Sequence, residues 1–230
     1  MSPFPAPTVV FDLDGTLADT AADLIATLNV VLSREGLAPV PEERARPLVG
    51  AGAKALIECG FAGTNRDLTP ERLDELYRFF LAWYADHICV ETRLYPGVER
   101  ALLRLEAAGC RLAVCTTKFE AHAVAVLKQL SVADRFAAIC GRDTFPYIKP
   151  DPRQITLTID RAGGRPESAV MIGDSRTDIV AAQAAGVPVI AVPFGYTDIP
   201  VTELNPDRVI AHFDDLPLAV EAFIERARAA

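Results

Sequence analysis

Four carboxylates and two lysines of this chain fall where side chains of their kind can do chemistry together. Asp12 and Asp14 lie one residue apart in "VVFDLDGTLADT" (9–20), at the end of an apolar run and directly before Gly15. Asp174 and Asp178 stand four apart in "GDSRTD" (173–178). Lys149 lies in "IKPDP" (148–152), and Lys118 closes "RLAVCTTK" (111–118) behind Thr116 and Thr117. Two carboxylates as close as the first pair repel, and each raises the other's pKa, so the pair needs a cation or a proton beside it. Four carboxylates against one or two lysines still leave excess negative charge. An oxygen-only donor set suits a hard divalent cation, Mg²⁺ rather than zinc. With that ion and Lys149 in place, a phosphate dianion becomes tolerable in the same crevice. Asp12, at a strand end, is placed to attack an electrophile in line and carry it as an acyl-phosphate. Asp14, one residue into the turn, is placed to protonate a leaving oxygen and later to deprotonate water. Gly15 allows close backbone approach, and neighbouring N–H groups can hold phosphate oxygens.

These residues meet only if the elements carrying them lie side by side. Six short β-branched apolar runs read as strands: 8–13, 111–117, 136–141, 168–174, 187–193 and 207–213. They are nearly continuous in apolar residues rather than alternating, which marks strands covered on both faces, as in parallel sheets. Between them lie amphipathic helical stretches with glycine stops, as at Gly109 and Gly186. The pattern predicts a doubly wound α/β sheet, in which ligands gather at the carboxyl ends of the strands. Asp12 and Asp14, Thr116 to Lys118, and Asp174 all fall at such ends, and Asp178 follows in the first turn of a helix. Singly, "GDSRTD" reads as well as a helix cap and "KPDP" as a turn; their joint order and placement are what point to one site.

From about residue 19 to 92 the helical period dominates and no strand is expected. Thr20 and Asp23 have the spacing of a capping box, ahead of an apolar face of Leu24, Ile25, Leu28, Val31 and Leu32. Thr69 and Pro70 read as the cap and first position of a second long helix. At 230 residues the chain exceeds one usual compact domain and falls short of two. A core of 1–18 and 93–230 with a helical insertion of 19–92 is the expected division.

Half the residues are hydrophobic and the net charge is −8, which argues against nucleic acid or an anionic membrane as partner. The five cysteines (59, 89, 110, 115 and 140) form no CxxC pair and read as free thiols of a reducing compartment. The opening "MSPFPAP" lacks the basic stretch and apolar run of a signal peptide, and no window nears the ~18 apolar residues of a membrane span. A cytoplasmic protein is expected, as a monomer or a homodimer.

"DLDGTLADT", Thr116, Lys149 in "KPDP" and "GDSRTD", in that order, resemble the four motifs of the haloacid dehalogenase superfamily of phosphohydrolases. The resemblance implies a Rossmann-like core with a helical cap inserted after the first strand, Asp12 as nucleophile and Asp14 as acid/base. It implies Mg²⁺ held by Asp12, the Asp14 main-chain carbonyl and Asp174, with Asp178 in support, and a phosphoryl group held by Thr116, Thr117 and Lys149. Relatives that cleave carbon–halogen or carbon–phosphorus bonds lack the second carboxylate, so Asp14 favours phosphate ester hydrolysis. "PLVGAGAKALI" (47–57), "FGYTD" (194–198) and "PDRVIAHFDDL" (206–216) are similar to segments of the phosphoglycolate phosphatase group. Gly50, Gly52 and Lys54 are the candidate substrate contacts of the cap. Thr117 departs from that group, where an asparagine is common. A small anionic ester such as 2-phosphoglycolate is the expected substrate. Pyrophosphate, a nucleotide or a sugar phosphate are the alternatives, as is a binding protein that has kept the fold and lost catalysis.

Overall fold

The computed structural model describes residues 6–197 and 199–229, so Asp198 and most of the opening "MSPFPAP" lie outside the described residues. A six-stranded parallel sheet runs in the order β5-β4-β1-β6-β7-β8. Its strands are β1 (Thr8–Phe11), β4 (Arg111–Cys115), β5 (Ala138–Cys140), β6 (Ala169–Gly173), β7 (Val189–Ala191) and β8 (Arg208–Val209). All six runs expected from sequence are strands, each shorter than its apolar run. The ladder outlasts the strand by one residue at Asp12, whose N–H reaches Ile172 O (2.9 Å), and at Thr116, whose N–H reaches Cys140 O (3.0 Å). β1 lies between β4 and β6, with Phe11 in register with both Val114 and Ile172. The three strands that carry candidate residues at their ends are therefore adjacent.

The sheet is covered on both faces, which explains the uninterrupted apolar runs. Val9, Phe11, Leu112, Val114 and Ile172 point into one buried cluster; Val10, Ala113, Cys115 and Met171 point into the other. The second cluster is closed by α7 (Pro152–Arg161) and α8 (Arg176–Ala184) through Ile155, Ile159 and Ile179. The first is covered by α5 (Val98–Ala107) and α6 (Glu120–Gln129), and it is joined by Phe213 from a 3₁₀ turn (Phe213–Asp215) and by Leu216 at the start of α9 (Leu216–Ala229). Gly109 and Gly186 adopt positive φ after their helices, as their positions require.

The helical segment after β1 contains α1 (Ala21–Arg34), α2 (Glu42–Ala45), a 3₁₀ turn (Arg46–Ala51), α3 (Ala53–Phe61) and α4 (Pro70–Asp86). Leu24, Ile25, Leu28, Val31 and Leu32 of α1 are buried, as their spacing requires. α4 buries Leu76, Phe80 and Tyr84 at i, i+4, i+8, and Thr69 caps it by accepting the Arg72 N–H. Gly60 of α3 is needed for close packing, since a Cβ there would meet Leu32 Cδ2 at 2.6 Å.

Two features depart from the sequence expectation. A two-stranded antiparallel ribbon of β2 (Ala18–Asp19) and β3 (Arg93–Leu94) brackets this segment. Two residues per strand are too few for any periodicity to register. The capping box at Thr20 does not form either. The Thr20 hydroxyl donates to Asp14 Oδ1 (2.6 Å) instead. Buried Asp23 accepts the N–H groups of Val90, Glu91 and Thr92 (2.9–3.0 Å) and the Thr92 hydroxyl (2.7 Å). Local spacing fitted a cap, and tertiary partners with better geometry took both side chains.

Candidate active site

The carboxyl ends of β1 and β6 bring Asp12, Asp174 and Asp178 together, with one oxygen from each lying within 4.8 Å of the others. All three are buried. Asp178 reaches back from the first turn of α8, where Ser175 and Asp178 form a capping box. Lys149 enters from the loop before α7 with its ammonium fully enclosed. It donates to Asp178 Oδ1 (2.6 Å) and the Cys115 carbonyl (2.6 Å) and stands 3.2 Å from Asp12 Oδ1. That last approach is an ion pair without hydrogen-bond geometry, so Asp12 Oδ1 is a buried carboxylate oxygen that accepts no hydrogen bond.

The other two carboxylates are more fully engaged. Asp178 Oδ2 accepts the Ser175 N–H (3.1 Å) and hydroxyl (2.6 Å). Asp174 accepts the Thr16 hydroxyl on Oδ1 (2.6 Å) and the Tyr196 N–H on Oδ2 (2.6 Å). Asp174 sits in a slot that only glycine allows: a Cβ on Gly15 would meet its Oδ2 at 2.4 Å, and one on Gly195 at 2.2 Å.

The electrostatics follow from burial. Three carboxylates and one ammonium sum to −2 when all are ionised. Burial raises Asp12 to about 7; Lys149 pulls it back while Asp178 and Asp14 push it up. Burial, then Asp178 and Asp12, raise Asp174 well above the usual carboxylate range. Burial opposes the charge of Lys149, but Asp12 and Asp178 outweigh it and hold the lysine above its ordinary range. Without a metal, burial favours the protonated forms of Asp12 and Asp174. A divalent cation would replace those protons, and an oxygen-only donor set with an unpartnered buried Asp12 oxygen fits a hard cation.

Asp14 faces elsewhere. Its Oδ1 accepts from Thr20 (2.6 Å) and pairs with Lys118 Nζ (3.1 Å); Lys118 also donates to the hydroxyl of Tyr84 on α4 (3.1 Å) and lies over its ring. The Asp14 side chain is thus outside the three-carboxylate group, which leaves its main-chain carbonyl as the atom the resemblance assigns to metal. Thr116 is buried and its hydroxyl accepts the Lys118 N–H (3.2 Å); Thr117 is half-buried and lines the cleft beside Asp14.

The three cap candidates part company. Gly52, at φ +91, lines that cleft, whereas a Cβ on Gly50 would meet the Tyr196 carbonyl at 2.7 Å, so Gly50 is a packing position. Lys54 pairs with Asp74 (2.6 Å) and lines an open hollow that adjoins the cleft.

Gln154 and Tyr196 were not singled out from sequence. Gln154 accepts the Lys149 N–H (2.7 Å) and donates to the carbonyls of Thr116 (3.1 Å) and Gly141 (3.0 Å), tying two site loops together. Tyr196 holds Asp174 through its N–H. Its hydroxyl donates to Asp19 (2.6 Å) and accepts the N–H groups of Thr20 and Ala21 (2.7 and 2.9 Å). Lys118 was visible as the residue behind two threonines; for Gln154 no signal existed, since a glutamine one turn into a helix reads as surface.

A sequence profile of haloacid dehalogenase-like hydrolases matches residues 9–192. A phosphoglycolate phosphatase from Mesorhizobium japonicum is 48% identical over 221 residues, spanning 96% of this chain and 97% of that one. Another, from Agrobacterium fabrum, is 46% identical over 226 residues, spanning 98% and 97%. The crystal structure of a predicted phosphoglycolate phosphatase from Haemophilus somnus superposes with a TM-score of 0.87 at 30% identity, covering 95% of this chain and 99% of that one.

Proposed function

We propose that this chain, which belongs to the haloacid dehalogenase-like hydrolase family and is a phosphoric monoester hydrolase, works with Mg²⁺ through an aspartyl-phosphate on Asp12 and takes 2-phosphoglycolate or a similar small anionic ester. The observation that supports this reading best is the pairing of Asp12 and Asp14 with different cations. Asp12 is enclosed beside Lys149 with a free oxygen, and Asp14, one residue on, is held by Lys118 at the edge of a cleft.

Asp12 attacks phosphorus; the Asp12–O–P bond forms as the bond to the ester oxygen breaks, and Asp14 gives that oxygen its proton. Asp14 then takes a proton from water, whose oxygen attacks the same phosphorus, releasing phosphate and restoring Asp12. Thr116, Thr117 and Lys149 hold the phosphoryl oxygens in this reading. Asp12, Asp174 and the Asp14 carbonyl, with Asp178 in support, would hold Mg²⁺, which when bound offsets the carboxylate charge and polarises the phosphoryl group. The helical segment 19–92 acts as a cap over the core of 1–18 and 93–230, with the β2–β3 ribbon as its base. Among the described residues no helix is long and apolar enough to cross a membrane. The free thiols suit a reducing cytoplasm, where the chain would work as a monomer or a homodimer.

A panel of phosphorylated metabolites, assayed with Mg²⁺ and with chelator, tests the reading. The expected result is Mg²⁺-dependent release of phosphate with 2-phosphoglycolate among the best substrates, and loss of turnover in Asp12→Asn with the fold retained. Metal-independent turnover, or substantial activity in Asp12→Asn, refutes the mechanism. A poor rate on 2-phosphoglycolate beside fast turnover of pyrophosphate, a nucleotide or a sugar phosphate refutes the substrate alone.

A further inference from the structure

Beyond Asp14 the cleft continues between α3 and α4 on one side and the loops after β4 and β5 on the other, with a volume of about 510 Å³ counting its open mouth. It runs into a second hollow that shares Gly52, Tyr77, Phe119 and Arg142 with it and adds Lys54. An anionic ester entering a chain of net charge −8 needs positive charge along this path, and three cations and one histidine line it.

Their states differ. Lys118 is engaged by Asp14 and Tyr84, and Lys54 by Asp74. Burial, then Lys118, hold His122 below its usual range, which favours the neutral ring. Arg142 is half-buried, lies over the Phe119 ring at 5.3 Å, and forms no ion pair with a carboxylate among the described residues. Its main-chain N–H bonds the Lys118 carbonyl (2.9 Å), which fixes the start of its side chain against the loop carrying Thr117 and Lys118. A guanidinium held by an aromatic face with its N–H fork unclaimed by a carboxylate is suited to a planar anion.

We propose that Arg142 is the specificity-determining residue that receives the second anionic group of the substrate, a carboxylate on the alcohol side of the ester, while the phosphoryl group lies at Asp12. The assignment rests on the phosphatase reading and deepens it, because it explains how a site built for phosphate discriminates by what the phosphate is attached to. The sequence gives Arg142 no motif. Its role comes from the placement of the β5 loop beside the end of β4.

The test compares 2-phosphoglycolate with 2-hydroxyethyl phosphate, which keeps the carbon skeleton and replaces the carboxylate by an alcohol. A charge-assisted hydrogen bond is worth about 1.5–3 kcal/mol, which is roughly 10- to 150-fold. In Arg142→Gln the ratio of kcat/KM for 2-phosphoglycolate over 2-hydroxyethyl phosphate should fall by roughly that factor, chiefly through KM for the carboxylate ester. Arg142→Lys should restore part of it, since the charge returns without the fork. A ratio that stays within about twofold of wild type in both variants overturns the assignment, whatever the absolute rates do. A wild type that hydrolyses neither ester while releasing phosphate from other monoesters refutes the small-ester substrate, and the role of Arg142 with it. A wild type that hydrolyses both with no preference overturns only the carboxylate subsite.

Discussion

Lys149→Met removes the ammonium from the centre of the carboxylate group while leaving a side chain of similar length. In the wild type that ammonium donates to Asp178 and to the Cys115 carbonyl and stands 3.2 Å from Asp12, with no exposure to solvent. Removing one member of a buried ion pair costs about 3–5 kcal/mol, because the remaining charge has neither water nor a partner. Here Asp178 and a carbonyl lose their donor and Asp12 loses its counter-charge, so the upper part of that range applies while the acids are ionised. At 2–4 °C per kcal/mol for a chain of this size, the melting temperature in chelator at pH 8 should fall by about 8–20 °C. Two further readings identify the cause. Adding Mg²⁺ should recover part of the loss, since a divalent cation supplies the missing charge. Placing Lys149→Met in an Asp12→Asn background should cost less than in the wild type, by about 1–3 kcal/mol, since one of the two uncompensated charges has gone and only Asp178 remains. Circular-dichroism melts of the four proteins, with and without metal, decide it. If Lys149→Met melts within about 2 °C of wild type in chelator, Lys149 is not the internal counter-charge, and the charge argument for the site fails with it.

Two other outcomes follow from the same geometry. Burial lifts Asp12 from 3.8 to about 7, so the metal-free fold prefers its neutral form; that contribution is full below about pH 4 and is lost as pH rises through about 7. Wild type in chelator should therefore lose stability from about pH 5 to pH 7 more steeply than Asp12→Asn, and parallel melting curves for the two over that range would show that Asp12 titrates normally. Tyr196→Phe removes the hydroxyl that accepts the Thr20 and Ala21 N–H groups and donates to Asp19. Leaving such groups unpaired costs about 1–3 kcal/mol, roughly 2–12 °C in melting temperature, and a melt within 1 °C of wild type would mean that water reaches them.

The parts of the fold that sequence made legible are those where one residue type has few other uses. Continuous β-branched runs at 8–13 and 168–174 had to be two-sided strands, and glycines after helical periods at 109 and 186 had to be helix stops. The candidate site was legible for a related reason: a carboxylate directly after such a strand sits at its carboxyl end whatever the rest of the chain does. What sequence could not supply was partner choice. Thr20 and Asp23 have the spacing of a cap, yet Asp14, six residues earlier, claims the one and the distant 90–92 turn the other, because cap spacing does not show which partner the fold brings closer. Gln154, Tyr196 and Arg142 escaped for the same cause, as each acts through a loop that only the sheet order brings near.

Sheet order also resolves why two like charges can sit one residue apart at 12 and 14. The chain leaves β1 at Phe11 and turns at once, with Gly15 at φ +81. Asp12 stays in line with the ladder and meets Lys149, whereas Asp14 swings to the β4 side and meets Lys118. Lys118 follows β4 and Lys149 lies in the loop between β5 and α7, so the two cations arrive from different loops and need not share either acid. The partition has a chemical consequence. A nucleophile must stay ionised and confined, and an acid/base must sit where a leaving group and water pass. Asp12 is enclosed among carboxylates that a metal can claim, and Asp14 is held at the cleft wall by Lys118, Thr20 and, through Lys118, Tyr84 of α4. Because α4 belongs to the helical segment, a movement of that segment would move a partner of Asp14 while leaving the Asp12–Lys149 contact within the sheet layer untouched. In the proposed mechanism, substrate entry and proton transfer would therefore be coupled through Lys118, and phosphoryl capture would not.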